Sequence, residues 1–144
     1  MVEAAPVVAR IPAALVDELI AWARAGYPNE ACGIVAGDRF AADGGSATRF
    51  VGTANADRSP YRYRIDAQEQ LRVFTEIEDA GDEIWGIFHS HVRSPAVPSP
   101  TDIGLAFYPG SLYLICSLSD PDAPLVRVWT IENGEVNEVP LTTD

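Results

Sequence analysis

GIFHSHVRSPAVPSPTDIGLA, the stretch from Gly86 to Ala106, contains both histidines of the 144-residue chain, at positions 89 and 91. On a β-strand, residues i and i+2 point to the same face with their Cα atoms roughly 6.6 Å apart. The two imidazoles can therefore bind one metal ion together. By itself the H-x-H pair is a weak indication, because two partly buried, hydrogen-bonded histidines at a strand end are the more common arrangement.

The residues after the histidines predict a loop and then a helix start. Ser99, Pro100 and Asp102 stand where an N-cap serine, a first-position proline and a first-turn acid are favoured. On this interpretation Asp102 complements the helix dipole; on the alternative one it is a third metal ligand. The two interpretations are compatible, since a capped helix start is a rigid support for a ligand.

The composition is that of an ordinary globular protein and limits its partners. Hydrophobic residues make up 47% of the chain and charged residues 22%, which predicts one domain, residues 1–144, with its own hydrophobic core. The net charge is −11, from 21 acidic and 10 basic side chains. Because that charge repels nucleic acid and anionic membrane surfaces, neither is an expected partner.

The cysteines and the amino-terminal sequence indicate a cytoplasmic protein. Cys32 and Cys116 are too few for a disulfide framework or a four-cysteine zinc site, and two buried free thiols are the simplest interpretation. The start of the chain, MVEAAPVVARIPAAL, lacks the basic region and long apolar run of a secretory signal or membrane anchor. No feature of the sequence predicts the oligomeric state.

Two amphipathic segments predict the longer helices. Pro12 suits the first position of one helix, which Gly26 and Pro28 end. Asp66 and Glu69 resemble a capping box that opens the other. The predicted apolar faces are Leu15, Val16, Leu19, Ile20 and Ala23 in the first helix and Leu71, Phe74 and Ile77 in the second.

Short apolar or alternating segments between these helices predict strands. Alternation is clear in YRYRI, residues 61–65, and Asn133-Gly134 is a strong hairpin signal near the end of the chain. Helices interspersed with strands and a closing hairpin predict an α/β fold built on a mixed sheet. The predicted strands are 7–11, 31–37, 47–55, 61–65, 83–91, 111–119, 125–131 and 135–141.

The spacing of five polar residues resembles the JAMM (MPN+) zinc metalloproteases. The family pattern of H-x-H, seven residues and S-x-x-D is occupied by His89, His91, Ser99 and Asp102, with Glu30 upstream in PNEACGIVAG. The order of elements is similar over most of the chain, most of all to short bacterial members acting on sulfur-carrier proteins. The resemblance implies a single-domain MPN fold, a cytidine-deaminase-like mixed β-sheet flanked by helices.

The same resemblance implies a role for each of these residues. His89, His91 and Asp102 would bind one Zn²⁺ per chain and leave a fourth position open, as a catalytic zinc site requires. Glu30 would be the general base that passes a proton from water to the leaving amine. Ser99 would donate a hydrogen bond to the developing oxyanion, and residues 92–98, which contain Pro95 and Pro98, would form a stiff rim over the metal.

The resemblance also implies a class of substrate. The family cleaves amide or isopeptide bonds next to the C-terminal tails of ubiquitin-like proteins. The compactness of this chain favours a β-grasp sulfur carrier, cleaved after its C-terminal Gly-Gly to release a cysteine or short peptide. An edge strand near 47–55, the Tyr61/Tyr63 face and the Arg62/Arg64 face are candidate contacts with the carrier, although an amphipathic strand with solvated arginines fits them as well.

The sequence leaves two alternative functions open and argues against two others. One alternative is an isopeptidase that removes ubiquitin-like modifiers from lysines, and a lesser one is a non-catalytic MPN scaffold. A nucleobase deaminase is excluded, because it needs a P-C-x-x-C ligand pair that this chain lacks. A Cys-His hydrolase using Cys32 has no support, since nothing in the sequence places that cysteine near a base.

Overall fold

The structure, a computed structural model, describes residues 6–143. Residues 1–5 and residue 144 lie outside that range. The first five residues begin the segment that is expected to lack a targeting signal. Within residues 6–143, one short 3₁₀-helix, Ala41–Asp43, accompanies three α-helices and eight strands. These are β1 Ala9–Arg10, α1 Ala13–Gly26, β2 Cys32–Gly37, β3 Ala47–Thr53, α2 Ala67–Asp79, β4 Glu83–His91, α3 Pro100–Gly104, β5 Leu112–Ser117, β6 Leu125–Glu132, β7 Glu135–Val139 and β8 Leu141–Thr142.

Six strands form one mixed sheet in the order β3-β2-β4-β5-β6-β7. The neighbours β4 and β5 run parallel, while the other adjacent pairs of this sheet are antiparallel. β1 and β8 pair separately and in parallel. The predicted α/β architecture with a mixed sheet is confirmed, and β3 lies at the edge, as expected for the segment around residues 47–55.

Helices cover both faces of the sheet and bury its apolar side chains. α1 packs Leu15, Leu19 and Ala23 against one face, together with Trp85 and Phe88 of β4. The predicted apolar stripe of α1 is confirmed. α2 packs on the opposite face, where its buried residues are Val73 and Ile77 and their partners in the sheet include Ile34, Ile87 and Ile115.

A bulge in β4 determines which face its carboxyl end presents. Val35 pairs with Gly86 and Ala36 with Ile84, so Trp85 is the extra residue. Such a bulge shifts the alternation of the side chains that follow it. Ile87 consequently packs on the side of α2, and His89 and His91, at the same alternate positions, share that face.

The small residues of β2 allow neighbouring aromatic rings to approach the sheet closely. A Cβ atom on Gly33 would lie 2.4 Å from the ring of Phe50 and 2.6 Å from the carbonyl oxygen of Val51. This close approach explains why a strand buried along its whole length carries glycine at that position.

The prediction of a strand over residues 61–65 is wrong. The segment belongs to the loop between β3 and α2. Its backbone is hydrogen-bonded within this loop, since Ala56 N–H donates to Arg64 O at 2.8 Å. Asp57 pairs with both Arg62 and Arg64 at 3.3 and 3.0 Å, so these arginines point towards one carboxylate instead of lining a strand face.

Two details of α2 also differ from expectation. Leu71, predicted to lie on the apolar face, is 68% exposed. Val73, which was not predicted there, is buried instead. Asp66 caps the helix by accepting from the N–H groups of Gln68 and Glu69. The capping box is incomplete, however, because the Glu69 carboxylate accepts from Ala54 N–H at 3.1 Å and so ties α2 to the end of β3.

The closing hairpin forms as predicted. Asn133 and Gly134 have φ angles of 51° and 78°, the pair of positive values that a type I′ turn requires. Among the helices within residues 6–143, none is long and apolar enough to cross a membrane.

Candidate metal centre

Three buried side chains converge at the carboxyl end of β4. The Nε2 atoms of His89 and His91 lie 3.1 Å apart. Asp102 Oδ2, from α3, lies 3.2 Å from His89 Nε2 and 3.0 Å from His91 Nε2. All three residues are buried. The parallel pair β4–β5 ends here, which is the edge where α/β sheets commonly place their functional residues.

The spacing and the chemistry of these atoms fit a zinc ion. A tetrahedral zinc with bonds of about 2.0–2.1 Å separates its ligand atoms by roughly 3.3 Å, close to the distances found. Burial lowers the pKa of His89, which favours the neutral imidazole that a metal requires. Among residues 6–143, His89, His91 and Asp102 are the group of histidine, cysteine and acidic side chains close enough together to hold a metal.

Asp102 is fixed by the start of α3. Ser99 Oγ accepts from Asp102 N–H at 3.1 Å, and Ser99 N–H donates to Asp102 Oδ2 at 2.8 Å, so the capping box is complete. Burial alone would raise the pKa of Asp102, but hydrogen bonds with His89, His91 and Ser99 hold it well below its usual range. The carboxylate is therefore ionised and already oriented, and the Ser99 hydroxyl proton is available to another acceptor.

The loop of residues 92–98 orients His91. Its Nδ1 lies 2.7 Å from the carbonyl oxygen of Pro95, an acceptor that keeps a proton on Nδ1. Nε2, which is hydrogen-bonded to Asp102 here, is the nitrogen that would bind a metal once it has lost its proton. The adjacent carbonyls of Ser94 and Ala96 accept from Ser117 Oγ and Trp129 Nε1 at 2.7 and 2.9 Å. Three consecutive carbonyls thus hold the loop beside the histidines.

His89 is oriented by stacking instead. Its ring lies parallel to that of Tyr63, with centroids 4.5 Å apart and an interplanar angle of 20°. Within the described residues its Nδ1 is buried without a hydrogen-bond partner. Tyr63 belongs to the loop that connects β3 and α2, so this loop contributes to the site together with the predicted residues.

Glu30 lies beside the cluster, two residues before the first residue of β2. Burial is the main cause that raises its pKa to about 8, with the nearby charge of Asp102 adding to the shift and His91 opposing it. Its Oε1 is buried and has no hydrogen-bond partner among residues 6–143. The neighbouring residue is fixed to the H-x-H strand, because Ala31 N–H donates to Ser90 Oγ at 2.8 Å.

A surface cleft of about 370 Å³ leads to the cluster. Glu30, His91 and Ser99 line it, so a carboxyl group, an imidazole and a hydroxyl group lie at the same cleft. The remaining walls come from the end of α1, the β3–α2 loop and the start of the 92–98 loop, namely Tyr27, Pro28, Asn29, Pro60, Tyr61, Val92, Arg93 and Ser94.

The two cysteines are buried free thiols, as the sequence indicates. Burial raises the pKa of both Cys32 and Cys116 to about 11. A nucleophilic cysteine needs a lowered pKa, so the structure gives no support to a hydrolase built on Cys32.

The five polar residues proposed from the sequence lie at the cluster and its cleft, but sequence reasoning did not predict the residues that hold them. The Tyr63 ring stacks on His89, and the Pro95 carbonyl binds His91. The Ser90 hydroxyl accepts from Ala31 N–H. None of these roles has a residue pattern of its own. The alternation of Tyr61 and Tyr63 did draw attention to this segment, although as a strand.

Comparison with known proteins identifies the class that the fold and the site define. The chain matches the family described as prokaryotic homologs of the JAB domain over residues 12–132, and it belongs to that family. The resemblance to JAMM/MPN proteins is thereby confirmed.

Individual relatives are similar along most of their length. A protein from Mycobacterium tuberculosis named CysO-cysteine peptidase is 40% identical over 131 residues, covering 91% of this chain and 88% of the relative. A protein from Haloferax volcanii named desampylase is 38% identical over 120 residues, covering 79% and 82%. Among solved structures, protein DSY2949 from Desulfitobacterium hafniense has a TM-score of 0.83 at 34% identity, covering 94% of this chain and 92% of that one.

Proposed function

We propose that this protein is a zinc-dependent peptidase that cleaves the amide bond after the C-terminal Gly-Gly of a ubiquitin-like sulfur-carrier protein. The leaving group is a C-terminal cysteine or a short peptide. The observation that carries the proposal is the joint placement, at one cleft, of the His89–His91–Asp102 cluster and of Glu30, whose Oε1 has no hydrogen-bond partner within residues 6–143. The name of the 40% identical M. tuberculosis relative supports the substrate class.

His89, His91 and Asp102 hold the metal in this proposal, one ion per chain. When bound there, zinc polarises the scissile carbonyl and lowers the pKa of water towards about 7. The chain's own contribution is to present three oriented, buried ligand atoms. Their spacing of 3.0–3.2 Å supports this assignment.

Glu30 is the general base of the proposed reaction. It takes a proton from the attacking water and delivers it to the leaving amine, so that the amide C–N bond breaks and a free amine and carboxylate result. Burial raises the pKa of Glu30 above that of an exposed glutamate, and a raised pKa favours a carboxyl group that both accepts and releases a proton. The absence of a protein partner for Oε1 within residues 6–143 leaves this atom free for the transfer.

Ser99 donates its hydroxyl proton to the oxyanion that forms at the scissile carbonyl. The hydroxyl oxygen already accepts from Asp102 N–H, which fixes its position, and the side chain lines the cleft beside His91. A preorganised donor of this kind stabilises a transition state without reorganisation during the reaction.

The tail of the carrier is proposed to lie extended in the cleft. Glycine has no side chain, so a Gly-Gly tail fits a narrow groove and can pair its backbone with an exposed sheet edge. β3 is an edge strand, and the loop that continues from it supplies Pro60 and Tyr61 to the cleft wall.

Removal of ubiquitin-like modifiers from lysines is the second candidate function. The name of the 38% identical H. volcanii relative favours it. The two candidates share the catalytic groups and differ in the leaving amine, which belongs to a C-terminal residue in one case and a lysine side chain in the other. A non-catalytic scaffold is less favoured, because all five polar residues of the family pattern are present and lie together at the cluster and its cleft.

Glu30→Gln tests the proposal. The amide matches the carboxylate in size but cannot accept the proton, so we expect zinc content and folding to persist while cleavage of a carrier–Gly-Gly–cysteine fusion falls by about 100-fold or more. Glu135→Gln, an exposed change on β7, is the matched control. Cleavage by Glu30→Gln at the wild-type rate would show that the catalytic assignment is wrong.

A further inference from the structure

The Asn55 side chain makes an unusually complete set of hydrogen bonds to the backbone around the site. Its Nδ2 donates to the carbonyls of Glu30 and Arg62, both at 3.0 Å, and to that of Ser59 at 3.5 Å. Its Oδ1 accepts from the N–H groups of Asp57 and Arg64 at 3.0 and 3.1 Å. One amide thus holds together the β3–α2 loop and Glu30.

Glu30 depends on this loop for its backbone contacts. Ladder pairing of β2 begins at Cys32, so Glu30 lies outside the sheet. Its N–H donates to Ser59 O at 2.8 Å, and its carbonyl accepts from Asn55 Nδ2. Both backbone polar groups of the proposed base are therefore bound by the loop that Asn55 organises.

The other end of the Asn55 network fixes Tyr63. Asn55 binds Arg62 O on one side of this residue and Arg64 N–H on the other. The Tyr63 ring between them stacks on His89. The same side chain accordingly determines where the loop places the proposed base and where it places the ring that packs on His89.

We propose that Asn55 is a positioning residue for catalysis, which acts by holding the Glu30 backbone and the Tyr63 ring in register with the metal cluster. The proposal rests on the general-base role proposed for Glu30. A misplacement of about 1 Å of a reacting group can lower a rate about 100-fold, so the position of Glu30 matters more than its mere presence.

Two substitutions at Asn55 separate its hydrogen bonds. Asn55→Ala removes all five. Asn55→Asp is nearly the same size and keeps both acceptor bonds, but its second oxygen faces the carbonyls of Glu30, Ser59 and Arg62, where repulsion replaces donation. The aspartate variant is therefore expected to be at least as impaired as the alanine variant. Asp57→Asn is the matched control in the same loop, since it weakens only partly exposed ion pairs, which contribute little.

The experiment measures kcat and KM on a carrier–Gly-Gly–cysteine fusion, zinc content, and amide hydrogen exchange at Glu30. For both Asn55 variants we expect kcat to fall about 10- to 100-fold with KM within about 3-fold of wild type and zinc retained. Exchange of the Glu30 amide should accelerate about 10-fold or more while the amides of β4 stay protected. Asp57→Asn should keep kcat within about 2-fold of wild type.

Three results would overturn the proposal. Unchanged kcat in both Asn55 variants would mean that the network does not position the base. A fall in kcat that only matches the loss of zinc would make Asn55 a general stabiliser of the loop. An equal fall in Asp57→Asn would assign the effect to the loop as a whole. Activity in Glu30→Gln would overturn the proposed function and not the role of Asn55. Exchange of the Glu30 amide in the Asn55 variants would then still show whether Asn55 holds the Glu30 backbone.

Discussion

At the scale of single residues, the two histidines are held by different means. The Pro95 carbonyl fixes the His91 ring through Nδ1, whereas His89 relies on the face of Tyr63. Both devices leave Nε2 directed at Asp102. The three proposed ligand atoms therefore lie 3.0–3.2 Å from one another.

Removal of one side chain of the cluster should empty the proposed site. Wild-type protein purified without added metal is expected to contain one zinc per chain, and His89→Ala or Asp102→Ala close to none, because two ligands hold zinc far less tightly than three. Elemental analysis measures this. Asp43→Ala, an exposed acid in the 3₁₀-helix, is the control. Full zinc in either cluster variant would remove that residue from the ligand set.

Glu30 should make the stability of the metal-free protein depend on pH. Burial raises its pKa from 4.5 to about 8, so the folded state holds a proton that the unfolded chain releases. Stability is therefore lost as the pH rises from about 4.5 to 8, by at most about 1.4 kcal/mol per pH unit for a fully buried group. Glu30→Gln, which does not titrate, should be more stable than wild type at pH 8 and nearly equal near pH 4.5.

Urea unfolding at several pH values, after removal of metal with a chelator, measures this difference. Glu135→Gln serves again as the control for loss of one surface carboxylate. A stability difference between wild type and Glu30→Gln that stayed constant with pH, or grew towards acid, would contradict the burial of an ionisable Glu30.

At the scale of elements, the predictions were correct where residues close together in the sequence determine the local structure. β4 spans residues 83–91 as predicted, because an apolar run bounded by turns needs no distant partner to be recognised. Ser99 and Asp102 form the complete capping box, and Asn133-Gly134 forms the hairpin turn. The five polar residues proposed for the site were chosen for a different reason, since their spacing matches a known family.

Prediction failed where a distant contact overrides the local pattern. Residues 61–65 alternate like a strand, but the Asn55 amide binds the backbone on both sides of Tyr63 and keeps the segment in a loop. Glu69 has the spacing of a capping box with Asp66, yet it binds Ala54 at the end of β3. Such contacts join segments far apart in the chain, so no short window of sequence contains them.

Substitution can separate the capping role of Ser99 at the start of α3 from its proposed role as an oxyanion donor. As an N-cap, Ser99→Ala should cost roughly 0.5–2 kcal/mol of stability, whereas Ser99→Gly should cost only a few tenths. As an oxyanion donor, both variants should lose about 100-fold or more in kcat. Thermal unfolding and steady-state kinetics on zinc-loaded protein measure the two effects. Normal turnover in a stable Ser99→Gly variant would leave only the capping role.

At the scale of the whole molecule, the fold brings a rigid sheet edge and two pinned loops together around one cleft. The loop of residues 92–98 is held by three carbonyl hydrogen bonds, and the β3–α2 loop by Asn55. A cleft fixed in this way suits a narrow, extended substrate. The peptidase and desampylase relatives have similar identities to this chain, so the nature of the leaving amine has to be measured.

Mass spectrometry of cleavage products tests the central claim most directly. The substrates are a β-grasp carrier–Gly-Gly–cysteine fusion, the same carrier linked to a lysine side chain, and a free peptide with the same tail. We predict a cut after the second glycine of the fusion, much faster than that of the free peptide because the folded carrier contributes to binding, and no cut by Glu30→Gln. Equal rates on the free peptide would contradict a docking surface for the carrier, and cleavage of the lysine-linked form alone would contradict the proposed peptidase in favour of modifier removal.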